Sequence, residues 1–250
     1  MNNKLINYIL QIADNAMILG HRLSEWCGHG PVLEQDIALT NIALDFVGQA
    51  RSLYLYAAQV EGKGRTEDDF AFLRTEAQYK NALLVEQANG HFGTTIARQF
   101  FFDAYHFAFY KALAHSKDET LAAVAEKSLK EVTYHLRFSS EWMIRLGDGT
   151  EESHQKMQES VDDLWTYTGE LFEMSDADTD LLKEGISVDL SKVKEFWDGK
   201  VAEILNIATL QKPESAWMQS GGKNGRHSEQ MGYILTEMQY MQRTYPGQEW

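Results

Sequence analysis

Leu33-Glu34-Gln35-Asp36-Ile37-Ala38-Leu39-Thr40-Asn41-Ile42-Ala43-Leu44-Asp45-Phe46-Val47-Gly48-Gln49-Ala50-Arg51 opens a run that continues without proline to Glu61 and stops at Gly62-Lys63-Gly64. A glycine-rich stop after uninterrupted periodic sequence is a helix C-terminus. The apolar positions Ile37, Leu39, Ile42, Leu44, Phe46 and Val47 point around the helix and cannot all face one neighbour. A helix of that kind is expected to be buried from several sides. Glu34, Asn41, Asp45 and Gln49 nevertheless form a polar stripe at helical spacing through it. An apolar helix with a polar seam belongs in a bundle with a polar centre.

The remaining sequence supplies the other helices. Residues 3–26 carry Leu5, Ile6, Ile9, Leu10 and Ile12 on one broad face. Thr66-Glu67-Asp68-Asp69 reads as a capped start for a helix over 66–88. Further helices are expected over 91–116, 118–146 and 151–174, with two weaker ones over 191–208 and 227–243. The acidic run Ser175–Asp180 reads as a loop, and Ser220-Gly221-Gly222-Lys223-Asn224-Gly225 as a glycine-rich connection. No segment alternates as a strand does. The prediction is an all-α chain: a ferritin-like four-helix bundle core over about 33–147, with additional N- and C-terminal helices, in one domain spanning 1–250.

Composition removes several classes of function. A net charge of −14 argues against nucleic acid, which needs a basic face. A lone cysteine, Cys27, excludes an intramolecular disulfide and a cysteine-rich metal site. No run of about 18 apolar residues exists to span a membrane. The N-terminus lacks a secretory pattern, so the expected location is the cytoplasm.

Four predicted helices each set an acid among apolar residues: Asp45, Glu76, Asp103 and Glu131. Asp45 precedes Glu76 by 31 residues and Asp103 precedes Glu131 by 28, the spacing of adjacent helices joined by short turns. Carboxylate-bridged di-iron bundles are built this way, with a Glu from two helices and Glu-x-x-His from each of the others. The imidazole register is broken, however. Tyr79 stands three residues after Glu76, Tyr134 three after Glu131, and Val132 three before His135. The chain is therefore expected to bind no functional di-iron pair and to keep these positions as a hydrogen-bonded core network, in which Lys127, Glu131 and His135 share one face.

Several blocks together resemble one family. They are Leu23-Ser24-Glu25-Trp26-Cys27-Gly28-His29-Gly30-Pro31, Asp36 through Asp45, Leu83 through Gly90, Lys130 through Phe138, Leu146 through Thr150, Gly221 through His227, and Glu237-Met238-Gln239-Tyr240. Over nearly its whole length the chain is similar to the PaaC family, the ferritin-like subunit of phenylacetyl-CoA epoxidase. The resemblance implies a non-catalytic subunit with no cofactor of its own. It implies pairing with a homologous di-iron subunit, PaaA, with a small subunit, PaaB, and with a reductase that carries FAD and an iron-sulfur centre and draws on NADPH. Phenylacetyl-CoA would be met indirectly.

Weaker candidates remain beside that reading. Lys223 and Arg226 flank exposed glycine amides and are candidates for anion contact, against a plain helix-capping loop. Gln78, Tyr79, Lys80 and Asn81 occupy the place of the broken motif and are candidates for touching substrate. Met231, Tyr233, Met238, Tyr240 and Met241 suit a helix docked either on a partner or on the chain's own bundle. Two other functions stay open: a self-sufficient di-iron oxygenase or oxidase with atypical ligands, and a helical binding module without an oxygenase partner.

Overall fold

The computed structural model describes residues 2–214 and 217–248, and all regular structure among them is helical. The chain divides into two compact units, one made of the residues up to Gln87 together with those from Gly221 onward, the other of Ala88–Ser220.

The first unit is organised by α1 (Asn2–Ser24) and α2 (Leu33–Glu61). They are antiparallel: Tyr54 reaches Asp14, while Gly20 packs on Ala43 and Phe46. Ile9, Ala13, Ile18, Leu19 and Leu23 of α1 are wholly buried, and nearly the whole circumference of α1 is covered. The all-round burial expected of α2 falls on α1 instead. Helix α2 buries Leu39, Ile42, Phe46, Ala50, Leu53 and Ala57 but leaves Leu33, Ile37, Leu44, Val47 and Leu55 exposed. Its polar stripe is mostly outside: Gln49 is buried, Asp45 half-buried, and Glu34 and Asn41 are exposed.

The single helix expected over 66–88 is a second correction. It is three pieces: α3 (Glu67–Phe72), a 3-10 turn (Glu76–Gln78) and α4 (Leu83–Glu86). The cause lies on α1. Asp14 accepts a hydrogen bond from the Lys80 amide at 2.7 Å, and Asn15 accepts one from the Ala82 amide at 2.8 Å. Backbone donors that would have continued a helix are satisfied by these side chains.

The second unit is built on α5 (Phe92–Leu113) and α6 (Glu119–Gly147), again antiparallel, since Phe92 meets Trp142 and Asp103 meets Ser139. Helices α7 (Glu151–Trp165) and α9 (Leu190–Ile207) cover α5, whose residues from Thr95 to Tyr105 are buried without a break. Phe101 packs against Trp165 and Trp197, and the Trp197 indole donates to the Phe101 carbonyl at 2.8 Å. The acidic run expected as a loop is α8 (Asp176–Glu184). Ser175 and Asp178 form a capping box, so the acids are first-turn residues favoured by the helix dipole, and left-handed Gly185 ends the helix. The C-terminal segment of the first unit carries α10 (Glu229–Met238) and α11 (Tyr240–Thr244). Among the described residues no helix is long and apolar enough to cross a membrane.

Candidate functional site

Helix α5 sets Asp103 between Phe102 and Ala104, at a position with no solvent exposure. Its carboxylate accepts from Gln99 Nε2 at 2.6 Å, one turn earlier, and from Ser139 Oγ of α6 at 2.7 Å. Burial pushes the Asp103 carboxyl up to about 6; the nearby His135 and the two hydrogen bonds oppose that rise. His106, one turn further along α5, is also buried. Burial first, and His135 second, push its imidazole well below the usual range. Its ring stands edge-on to Tyr110 at 4.1 Å between centroids. Glu131 is half-buried and close enough to Tyr110 to reinforce the effect of burial in suppressing that hydroxyl's ionisation.

The sequence thus named three residues that meet in this unit: Asp103, His135 and, one turn away, Glu131. The Lys127–Glu131–His135 ladder is not one buried face. Lys127 is exposed, Glu131 half-buried and His135 wholly buried, so the row climbs from solvent into the core. A di-iron centre does not fit these residues. Asp103 already has both oxygens engaged, one on Gln99 and one on Ser139, and among the described residues no three His, Cys, Asp or Glu side chains converge as a metal ion requires.

In the first unit, Asp45 is half-buried on α2, and Glu76 is exposed at the start of the 3-10 turn. Glu76 sits on no bundle helix, because the 66–88 helix that would have carried it is broken. Of the neighbouring segment, Gln78 is exposed and closes its own turn on Thr75, with the Thr75 amide donating to Gln78 Oε1 at 2.8 Å. Tyr79 is wholly buried, donates its hydroxyl to the Ala71 carbonyl, and lies beneath the Arg74 guanidinium, 4.1 Å from its ring centroid. Asn81 is wholly buried and donates to Glu86 at 3.0 Å. A surface cleft of about 460 Å³ does lie beside this turn, but Thr75, Glu76, Leu235, Thr236, Tyr240 and Arg243 line it, not residues 78–81.

Two buried charge centres that the local pattern did not reveal hold this strap. At the first, Asp14 accepts from Tyr54 at 2.7 Å, from the Lys80 amide at 2.7 Å and from both terminal nitrogens of Arg74. Burial alone would lower the Arg74 pKa, but Asp14 more than offsets it, and the guanidinium stays charged. At the second, Glu86 accepts from Asn81, from the Ser228 amide at 2.6 Å and from His227 Nδ1 at 2.8 Å. His227 Nε2 lies 3.2 Å from the Tyr79 carbonyl. Both ring nitrogens therefore face acceptors, which only the doubly protonated ring satisfies. Burial pulls the His227 pKa down, yet Glu86 and the Tyr79 carbonyl leave it above the usual value. Arg22 adds two bonds to the Glu86 carbonyl, at 3.0 and 3.2 Å.

Gly221–Arg226 is the clasp that delivers His227. A Cβ built on Gly222 would run into the Asn81 carbonyl, and one on Gly225, at φ +79°, into the Ala77 carbonyl. Of the two candidate anion contacts, Lys223 is buried in this clasp and Arg226 is exposed. Asp14 lies within the helix over 3–26, of which only the apolar face was read, and Glu86 lies inside the block Leu83 through Gly90 that carries the resemblance. The signal available was the coincidence of a buried acid with a distant cation, which spacing does not encode.

A family model described as phenylacetic acid catabolic protein matches residues 1–250. The chain is 50% identical over 248 residues to a subunit of 1,2-phenylacetyl-CoA epoxidase from Escherichia coli (strain K12), covering 99% of this chain and 100% of that protein.

Proposed function

The chain belongs to the phenylacetic acid catabolic protein family, and from that premise we propose that it is the accessory, non-catalytic subunit of a phenylacetyl-CoA epoxidase. The relative's name supports a subunit of such an enzyme, at half identity over its full length. In this reading the chain has no cofactor of its own. A homologous di-iron subunit, PaaA, performs the oxygenation of the ring as its CoA thioester. PaaB and an NADPH-dependent reductase with FAD and an iron-sulfur centre complete the assembly, in the cytoplasm.

One observation carries the non-catalytic part: Asp103 is sealed in the core with both carboxylate oxygens engaged by Gln99 and Ser139. A carboxylate so placed ties α5 to α6, and among the described residues no three His, Cys, Asp or Glu side chains converge with it as a bound metal ion requires. What this chain contributes is packed helical structure, with the buried Asp14–Arg74 and Glu86–His227 charges paired internally, against which a catalytic subunit keeps its shape.

The test is co-purification with PaaA followed by epoxidation of phenylacetyl-CoA with and without this chain. The expected result is a stable complex, low iron in the isolated chain, and turnover that needs both subunits. Near-stoichiometric iron with oxygen-dependent turnover by this chain alone would establish the self-sufficient alternative. Failure to form any complex would favour a binding module without an oxygenase partner.

A further inference from the structure

The pair Asn-Gly occurs twice in the chain, at Asn89-Gly90 and at Asn224-Gly225. It is a thermolabile combination, because glycine has no side chain to shield its amide nitrogen from the asparagine carbonyl carbon beside it. In a folded chain two conditions decide whether that nitrogen attacks. It must not already be committed to a hydrogen bond, and the side-chain carbonyl must be polarised.

The structure separates the two pairs on both counts. At the second pair the Gly225 amide donates to the Gly222 carbonyl at 2.8 Å. The Asn224 side chain is exposed, with no charged donor on it among the described residues. At the first pair the relations are reversed. Gly90 is exposed, and its amide has no acceptor among the described residues. Asn89 Oδ1 accepts from Arg98 Nη2 at 2.7 Å. Thr95 Oγ1 lies 3.4 Å from the same oxygen and donates to the Asn89 main-chain carbonyl at 2.9 Å. Arg98 and Thr95 are wholly buried on α5, so both donors are held in place before any reaction begins. A charged donor on Oδ1 withdraws electrons from Cγ and stabilises the oxyanion that attack there creates.

We propose that Asn89 is a self-modifying site, converted to aspartate in the folded chain. The Gly90 nitrogen gives its proton to solvent and bonds to Asn89 Cγ. The Cγ–Nδ2 bond breaks, and Nδ2 takes a proton from solvent and leaves as ammonia. Water then adds to Cγ of the succinimide ring so formed. The bond from Cγ to the Gly90 nitrogen breaks, and that nitrogen takes back a proton. The sum is asparagine plus water to aspartate plus ammonia, with no change of oxidation state. Opening of the ring at the main-chain carbonyl would give isoaspartate instead, the main product in an unfolded chain. Arg98 favours opening at Cγ, because its charge sits on that oxygen while the main-chain oxygen has only the neutral Thr95 hydroxyl. The resulting carboxylate keeps Arg98 as its partner and stands just before His91, the N-cap of α5.

The proposal goes beyond the accessory-subunit reading and does not depend on it. Freshly purified full chain is held at neutral pH for days, beside a sample kept unfolded in urea. Peptides from both are mapped by mass spectrometry that separates aspartate from isoaspartate. In urea Asn89 and Asn224 should convert alike, mainly to isoaspartate. In the folded chain Asn89 should be lost first and appear mainly as aspartate, while Asn224 is retained. Asn89→Asp, the product made directly, should melt no lower than the unaltered chain. Asn89 that persists in the folded chain after the unfolded sample has converted overturns the proposal, and so does loss of Asn224 first. Isoaspartate as the main product in the folded chain overturns it as well. So does a markedly lower midpoint for Asn89→Asp, because the carboxylate would then have no place beside Arg98.

Discussion

Replacing Asp103 with asparagine tests the buried network in α5 and α6 through pH. The amide keeps the shape and one acceptor but cannot ionise. In the native chain the Asp103 carboxyl is raised from 3.8 to about 6, chiefly by burial. The folded chain therefore binds more protons than the unfolded chain between those two values, and its stability falls as pH rises across them. The difference corresponds to about 3 kcal/mol for one group. Urea unfolding of the native chain and Asp103→Asn, followed at a series of pH values from 4 to 8, isolates it, because titrating groups remote from Asp103 and His135 cancel in the difference. The native chain should lose about 2.5 kcal/mol relative to the variant over that range, most of it below pH 6.5. A constant difference would refute the reasoning, because Asp103 would then bind its proton equally well in the folded and unfolded chains. A difference of opposite sign would mean that His135 and the two hydrogen bonds outweigh burial.

Three other outcomes follow from the first unit. Arg74→Met should cost about 3–5 kcal/mol in chemical denaturation, because it leaves Asp14 buried without its cation; adding Asp14→Leu should recover much of that loss. Glu86→Gln should lower the His227 pKa in an NMR titration. Since His227 is raised in the folded state, its contribution is complete below about 6.5 and is lost as pH rises through its folded value, which hydrogen exchange over 221–228 should report in the native chain and not in the variant. Gly225→Ala should loosen the same clasp, with faster exchange or proteolysis there, because its left-handed backbone and the Ala77 carbonyl both exclude a Cβ.

The long helices were legible because their periodicity is local. The expected 33–61 matches the helix found, and 91–116 and 118–146 are correct to within a few residues. What failed was decided by contacts distant in sequence. Nothing between Phe72 and Leu83 announces a break, since the acceptors that open the helix are Asp14 and Asn15, more than 60 residues earlier. Likewise α2 and α1 exchange their expected burial because an apolar residue does not say what covers it. Ser175–Asp180 was misread for a different reason: its acids were weighed as loop composition when the Ser-x-x-Asp spacing was a helix start. Asp103, Glu131 and His135 were found because one helix turn and one antiparallel partner place them together. The Glu86–His227 pair was not found, as 141 residues separate its members.

That separation bears on how the chain is made. The first unit is discontinuous and the second is a single uninterrupted segment. A ribosome working from the N-terminus completes α1, α2 and Glu86 early, then makes the whole of the second unit before His227 emerges. At about 5–20 residues per second the 141 residues between Glu86 and His227 take roughly 7–28 s. Throughout that interval Glu86 has neither the imidazole nor the Ser228 amide that hold it in the finished protein. The nascent hairpin must keep this carboxylate wet or protonated until the clasp arrives. A chain cut short before Gly221 would be stranded in that condition, with a folded second unit and a first unit that cannot close.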